Sequence, residues 1–306
     1  MKKSTLLTAV LASALLQACG GGGGGDTVAT APTGSTADGN GATTTQPAPG
    51  SGTSSNGNGG STTTQPAASG DQGSISAPFA VTAAGLSRYM IFSPNGSSFG
   101  GLTATSQAAS GAITSLTNTS RSTTLSGSSV TKDIAGDASY ALGRWVTGTV
   151  TDPSGAVVLT GADGGSYHYA AYDMLASFPA TGAYACALQS STTPTLVSGS
   201  GSSTGAVNGA LGLNFDDTVA NDTVANLNGS MTITVGNETV TAGVPSSIPN
   251  PATFSATGQF YASNTGTAVQ VADAGGGNYA LMVAYAAKFA SGALYHGIAR
   301  MSCTAN

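Results

Sequence analysis

Apolar and polar residues alternate along most of the chain from Phe79 onward, in short runs that Gly, Asn, Asp, Ser and Pro interrupt. In Leu227–Val235 the apolar residues fall on one face, and the Asn, Ser and Thr residues fall on the other. Gly236 and Asn237 follow, and then a second alternating run, Glu238–Thr241. A period of two indicates a half-buried strand, and a Gly-Asn pair between two such runs favours a hairpin. The pattern therefore predicts an all-β fold built from antiparallel hairpins.

Residues 181–306 contain enough alternating runs for a closed sheet. Eight strands form a cylinder that side chains can just fill, so we expect a carboxy-terminal eight-stranded antiparallel β-barrel. A tandem pentapeptide repeat, Asp217–Asn221 and Asp222–Asn226, predicts a lengthened exposed turn, with an acidic calcium loop as the alternative. The eight predicted strands lie near Gly182–Leu188, Gly205–Phe215, Thr223–Val235, Glu238–Ala242, Thr253–Ala262, Gly266–Asp273, Asn278–Phe289 and Ala293–Cys303.

Residues 77–180 show a weaker strand pattern, which predicts a smaller β-rich domain before the barrel. Ser/Thr/Gly-rich segments such as Ser120–Ser129 are interpreted as the connections between its strands. The predicted strands of this part are Phe79–Val81, Arg88–Phe92, Tyr140–Val150, Val157–Leu159 and Tyr167–Tyr172.

The amino terminus has the layout of a bacterial lipoprotein signal. Lys2 and Lys3 precede the mostly apolar stretch Leu6–Leu16, which is too short to span a bilayer. The stretch leads into Leu-Gln-Ala-Cys, which resembles a lipobox ending at Cys19. We therefore expect a signal peptide at residues 1–18 and acylation of Cys19, the alternative being an ordinary secretory signal with a chance cysteine. Gly20 replaces the Asp that retains many lipoproteins at the inner membrane, which favours the outer membrane, with a periplasmic or an outward orientation left open.

Residues 19–76 are predicted to be a disordered tether. From Gly20 to Ser76 there is no aromatic residue, no Lys and no Arg, and the only charged residues are Asp26, Asp38 and Asp71. Such a composition offers too little apolar surface to offset the entropy of ordering the chain. The membrane, reached through the lipid on Cys19, is thus the first expected partner.

The charge balance and the scarcity of reactive side chains limit the classes of function that the chain can have. Eight Lys and Arg face thirteen Asp and Glu, so nucleic acid is excluded as a partner. No phosphate loop, dinucleotide fingerprint or zinc motif is present, and we expect no cofactor, no metal and no catalytic residue. Two G-x-S-x-G matches, Gly96–Gly100 and Gly201–Gly205, are interpreted as loops because neither joins a strand to a helix. An enzyme or inhibitor of the cell envelope would have to use His168 with Asp173, and a purely structural lipoprotein is a further alternative.

Cys186 and Cys303 are predicted to form a disulfide. They lie in the first and last strands of the expected barrel, which must pair for the sheet to close, and both alternate in phase with apolar neighbours. In an exported protein such a pair favours a cross-link over free thiols. We expect their Cα atoms to lie about 5.5 to 6 Å apart.

Five residues of the smaller domain have aromatic or basic side chains and lie in two short stretches of the sequence. Trp, Tyr and Arg carry much of the energy at protein interfaces, so these residues can form a binding surface. The alternative is that Trp145 and the tyrosines pack the smaller domain against the barrel. The five candidate residues are Arg144, Trp145, Tyr167, His168 and Tyr169, with Tyr172 and Asp173 close by.

Three stretches resemble the surface lipoproteins related to transferrin-binding protein B and factor H-binding protein: Gly205–Phe215, Phe254–Phe260 and Tyr285–Tyr295. In that family a small-residue strand ends on Asp-Phe or Asn-Phe, and a G-x-F strand and a Gly-led final strand follow. The chain departs from the family in lacking its Lys-rich character and in having Ala286 and Ala287 where a Gly-Pro-rich turn is usual. The resemblance implies a non-enzymatic outer-membrane lipoprotein that presents a barrel to a protein or small ligand.

Overall fold

The structure, a computed structural model, describes residues 62–65 (backbone only), 70–94, 96–161, 165–202, 205–216, 224–248 and 264–306. Across these ranges the chain forms nineteen β-strands and no helix, which confirms the all-β prediction. Accordingly, these ranges contain no helix with the length and apolarity to span a bilayer. All nineteen strands belong to two sheets, which are antiparallel apart from the pairing of β1 and β2, and each sheet is curled into a half-barrel.

The first sheet is formed by the earlier ten strands. Its order is β1-β5-β6-β7-β8-β10-β3-β4, with β2 beside β7 and β9 beside β8. β9 and β10 both pair with β8, β10 along Tyr140–Trp145 and β9 along Thr147–Asp152. The strands are β1 (Thr62–Gln65), β2 (Gly73–Ile75), β3 (Ser87–Ser93), β4 (Gly96–Gly101), β5 (Ala104–Ala108), β6 (Ile113–Thr117), β7 (Ser122–Asp137), β8 (Tyr140–Asp152), β9 (Gly155–Thr160) and β10 (Tyr167–Asp173).

Three predictions for this half of the chain need correction. Two short strands, β1 and β2, fall inside the predicted tether, where they pair in parallel with β5 and β7. The Ser/Thr/Gly-rich Ser120–Ser129 is largely part of β7, which β8 pairs along most of its length. Phe79–Val81 is not a strand, although both of its end residues are buried in the core. In the first two cases long-range backbone pairing, which a polar composition does not reveal, makes the segment a strand, whereas Phe79 and Val81 are buried without strand pairing.

The second sheet follows the prediction closely. Its order is β15-β14-β13-β11-β19-β18-β17, with β12 beside β19 and β16 beside β14. Seven of the eight predicted strands are present, and the eighth, Thr253–Ala262, lies outside the described residues, as does most of the pentapeptide repeat. The first and last strands pair as predicted. The strands are β11 (Thr181–Ser191), β12 (Thr195–Ser198), β13 (Gly205–Asp216), β14 (Val224–Val235), β15 (Glu238–Gly243), β16 (Ser247–Ile248), β17 (Gly266–Asp273), β18 (Tyr279–Lys288) and β19 (Leu294–Ala305).

Each half-barrel has its own apolar interior, and a third apolar cluster joins the two sheets. The first interior is centred on Trp145 and Tyr169, and the second on Met231 and Leu213. The third cluster combines residues of β3, β8 and β10 with residues of β17, β18 and β19. The two curled sheets therefore pack through their outer faces, so the central strands are buried on both sides.

A disulfide joins Cys186 and Cys303 inside the second half-barrel. The two residues oppose each other directly on β11 and β19. Their Cα atoms are 3.9 Å apart, so the predicted separation of 5.5 to 6 Å was wrong. The Cα atoms of directly opposed residues on antiparallel strands can lie closer together than the Cα atoms of most disulfide-linked cysteines.

Candidate functional site

Strands β8 and β10 bring the five candidate residues together but divide them between two faces. Tyr167 pairs with Trp145, and His168 pairs with Arg144. Because alternate residues of a strand point to opposite faces, Trp145, Tyr167 and Tyr169 lie inside the first half-barrel, while Arg144 and His168 point toward the second sheet. All except Arg144 are buried. The predicted binding surface is therefore not formed. The alternative, packing of Trp145 and the tyrosines against the barrel, is also wrong for Trp145, Tyr167 and Tyr169, which pack inside their own half-barrel, whereas Tyr172 does lie between the two sheets.

Inside the first half-barrel, two aromatic side chains hold the backbone of Ile113. The Trp145 indole donates a hydrogen bond to the Ile113 carbonyl at 2.7 Å, and the Ile113 amide donates to the Tyr169 hydroxyl at 3.1 Å. Tyr169 pairs with Gly143, and any side chain at position 143 would collide with the ring and hydroxyl of Tyr169. Burial raises the pKa of Tyr169. The group therefore fixes β6 against β8 and β10 as a neutral, hydrogen-bonded unit.

Between the sheets, His168 of β10 meets His296 of β19. The two imidazole rings are 4.9 Å apart between centroids and nearly perpendicular. His168 Nδ1 lies 2.7 Å from the hydroxyl oxygen of Thr192, which in turn accepts a hydrogen bond from the Ile298 amide at 2.9 Å. The Nε2 atoms of both histidines are buried and have no hydrogen-bond partner. The sequence gives no sign of this pair because the two residues are far apart in the chain.

Burial, and for His168 also the neighbouring Arg144, disfavours protonation of this histidine pair. Burial lowers the pKa of His296 to about 4. Burial lowers the pKa of His168 well below its ordinary value, with smaller contributions from the neighbouring His296 and Arg144. Arg300, also buried at this interface, lies 3.9 Å above the ring of Tyr140, and burial lowers its pKa. Both imidazoles are thus held neutral in the folded protein.

The carboxylate of Asp133 connects the first sheet with the segment before β12. The Arg144 guanidinium donates to the Asp133 carboxylate at 2.8 Å. The same carboxylate accepts hydrogen bonds from the amide and the hydroxyl of Thr193 at 2.9 and 3.1 Å. Asp133 has φ 58°, the left-handed region that costs a non-glycine residue energy, at an irregularity of β7. This backbone conformation directs the Asp133 carboxylate toward both Arg144 and Thr193.

Asp173 is not a partner of His168. The two residues are five positions apart on β10 and so face opposite sides of the sheet. Asp173 instead accepts a hydrogen bond from the Ser87 hydroxyl at 2.6 Å. Burial raises its pKa to about 6, against a smaller lowering by that hydrogen bond. The pairing that an enzyme using His168 and Asp173 requires is therefore not formed in this strand.

The G-x-S-x-G match at Gly96–Gly100 is part of strand β4, so its interpretation as a loop was wrong. Its serine, Ser98, lies 3.1 Å from the hydroxyl of Tyr89, and no histidine is among its hydrogen-bond partners in the described ranges. Of the second match, Gly201–Gly205, the first two residues lie outside any strand and Gly205 begins β13. In the part of the chain that the structure describes, no group of three or more His, Cys, Asp or Glu side chains is placed to hold a metal ion.

A cleft of about 540 Å³ opens at one end of the first half-barrel; we call it the mouth cleft. Residues of β3 and β4, the turn between β8 and β9, the start of β7 and the first residue of β10 surround it. Arg121 and Asp152 are its charged residues. Sequence reasoning missed this cleft because its walls come from segments that are distant in the chain and largely Ser- and Gly-rich.

No protein-family model matches the chain, and no curated protein or solved structure matches it either.

Proposed function

We propose that this chain is a non-enzymatic lipoprotein of the bacterial outer membrane, anchored through acylated Cys19, whose β-sheet head binds a ligand or a host protein. The observation that carries the binding function is the mouth cleft, whose volume of about 540 Å³ lies within the range of small-molecule sites. Openings of curled or closed sheets are common places for such sites. The likeness of this head to transferrin-binding protein B belongs to the same proposal and rests on the three sequence stretches named above.

The anchor is tested by replacing the acylated residue. The Cys19→Ser variant is expected to leave the membrane fraction, because the acyl attachment site and the cleavage signal are lost together. Membrane fractionation and incorporation of labelled palmitate measure the effect, and Thr27→Ser, which leaves the lipobox intact, serves as the matched control. Labelled palmitate that is still incorporated into Cys19→Ser would contradict lipidation at this residue.

Ligand binding is tested on the full lipidated chain in detergent micelles. Fractions of culture supernatant and of host serum are screened for an increase in the thermal unfolding midpoint, because a ligand of the folded state stabilises it by mass action. At a hundredfold excess over Kd the stabilisation is about 2.7 kcal/mol, a shift of several degrees. The shift is expected to survive in Lys288→Ala, which removes an exposed cation of the second sheet, and to be lost in Arg121→Ala. Failure of every fraction to shift the wild-type chain would refute the binding function.

A further inference from the structure

Hydroxyl groups dominate the polar lining of the mouth cleft. Tyr89 donates to or accepts from Ser98 at 3.1 Å and also accepts from the Asn118 amide group at 3.3 Å. The buried hydroxyl of Ser97 has no hydrogen-bond partner. Hydroxyls can both donate and accept, so such a lining matches a ligand that also carries many hydroxyls. The hydroxyl-bearing residues of the cleft are Tyr89, Ser93, Ser97, Ser98, Thr123, Ser154 and Tyr167.

The two charges of the cleft are opposite in sign and are not paired with each other. Within the described residues, the single ion pair closer than 4.0 Å joins Arg144 to Asp133, which are not part of the cleft. Asp152 uses one carboxylate oxygen to accept the Ser154 amide at 2.7 Å, which leaves its other oxygen for a ligand. A ligand with a net charge would be attracted by one of Arg121 and Asp152 and repelled by the other. The pair therefore favours a neutral ligand that can accept from a guanidinium and donate to a carboxylate.

Two tyrosines contribute aromatic rings to the lining of the cleft. Tyr89 and Tyr167 are each 5% exposed, so their rings belong to the wall while their hydroxyls reach the polar lining. Burial raises the pKa of Tyr167, and a hydrogen bond with Ser93 lowers it by a smaller amount. Tyrosine combines an apolar ring with a polar tip, which suits a ligand that has both apolar CH faces and hydroxyl edges.

From these features we propose that the mouth cleft binds a neutral saccharide of one or two rings. The inference rests on the proposed binding function and specifies the ligand class of the same head. Arg121 donates to ring or hydroxyl oxygens, Asp152 accepts from ligand hydroxyls, and the serine and tyrosine hydroxyls complete the contacts. The volume of about 540 Å³ is sufficient for a small ligand of this kind.

The test is isothermal titration calorimetry on the full lipidated chain, held in micelles of a detergent without a sugar head group. The probes are glucose, galactose, N-acetylglucosamine and disaccharides of each, with glycine, glutamate and succinate as charged or zwitterionic counterparts. We expect at least one saccharide to bind and the counterparts not to bind. Arg121→Ala removes a charged donor, and Asp152→Asn replaces a charged acceptor by a weaker neutral one, so each variant should weaken binding by about tenfold. The matched control Lys288→Ala should bind as the wild type does.

Several results would overturn the saccharide assignment. One is binding of glutamate, glycine or succinate, in an Arg121-dependent manner, while no saccharide binds; the binding function would then stand with another ligand class. A second is saccharide binding that neither Arg121→Ala nor Asp152→Asn weakens, which would place the sugar elsewhere on the head. A third is that none of the probes binds while serum or supernatant fractions still stabilise the chain. Because both residues line an open cleft and Arg121 is exposed, the variants are expected to fold, and their unfolding midpoints verify it.

Discussion

Loss of the Cys186–Cys303 disulfide is expected to lower the free energy of unfolding by about 5 kcal/mol. The cross-link spans a sequence separation of 117 residues, and in the chain-entropy model so long a loop restricts the unfolded state strongly. The folded sheet should persist at low temperature, because the apolar cluster around the cysteines remains and β11 still pairs with β13 and β19. Urea titration with and without reductant measures the effect as a shift of the unfolding midpoint.

The double variant Cys186→Ala/Cys303→Ala is the control for this measurement. It should unfold at the midpoint of the reduced wild type, and reductant should leave it unchanged. Alanine avoids burying an unpaired hydroxyl where both cysteines are almost inaccessible. Equal midpoints for the oxidised wild type and the double variant would show that the cross-link does not stabilise the fold.

Strand alternation explains why the second sheet was predictable from the sequence and the first sheet was less so. In β14 and β19 apolar residues recur at every second position, because one face lines the half-barrel interior. β7 carries Ser, Thr and Gly along most of its sixteen residues and is a strand because β8 pairs with it. Long-range backbone pairing of this kind has no local signature in the sequence.

The candidate site shows a second limit of sequence reasoning. Alternation along β8 and β10 already separates Trp145 from Arg144, but it does not reveal what each face meets. The face of Arg144 and His168 is covered by the second sheet, so residues that suit an interface by composition are enclosed within the head. His296 and Arg300 reach the same layer from β19. Only the packing of the two sheets brings these basic side chains together.

The buried histidines are expected to make the protein lose stability in mild acid. Both imidazoles titrate at about pH 6.5 in the unfolded chain, whereas burial lowers the folded pKa of His296 to about 4 and that of His168 well below 6.5. Below pH 6.5 the unfolded state therefore binds protons that the folded state cannot. The stability that the two neutral imidazoles contribute is fully present above pH 6.5. As the pH falls toward 4, the free energy of unfolding decreases by about 1.4 kcal/mol per pH unit for each imidazole.

Asp173 opposes this loss. Its folded pKa of about 6 lies above the ordinary 3.8, so between these values the folded state binds the extra proton and gains stability as the pH falls. Asp173 is partly exposed, which weakens its contribution relative to the two enclosed histidines. Because the two histidines outweigh Asp173, we expect a net loss of about 2 kcal/mol per pH unit.

Urea midpoints measured from pH 7.5 to 4.5 test the assignment through three variants. His168→Gln and His296→Gln should each reduce the pH dependence by about 1.4 kcal/mol per unit, because a neutral amide does not titrate. Asp173→Asn should steepen it, since the amide still accepts the Ser87 hydrogen bond but no longer gains a proton. A His168→Gln/His296→Gln double variant with the same acid sensitivity as the wild type would show that other groups govern the loss. If the assignment is correct, the double variant keeps its free energy of unfolding near pH 5, whereas the wild type is measurably less stable there than at neutral pH.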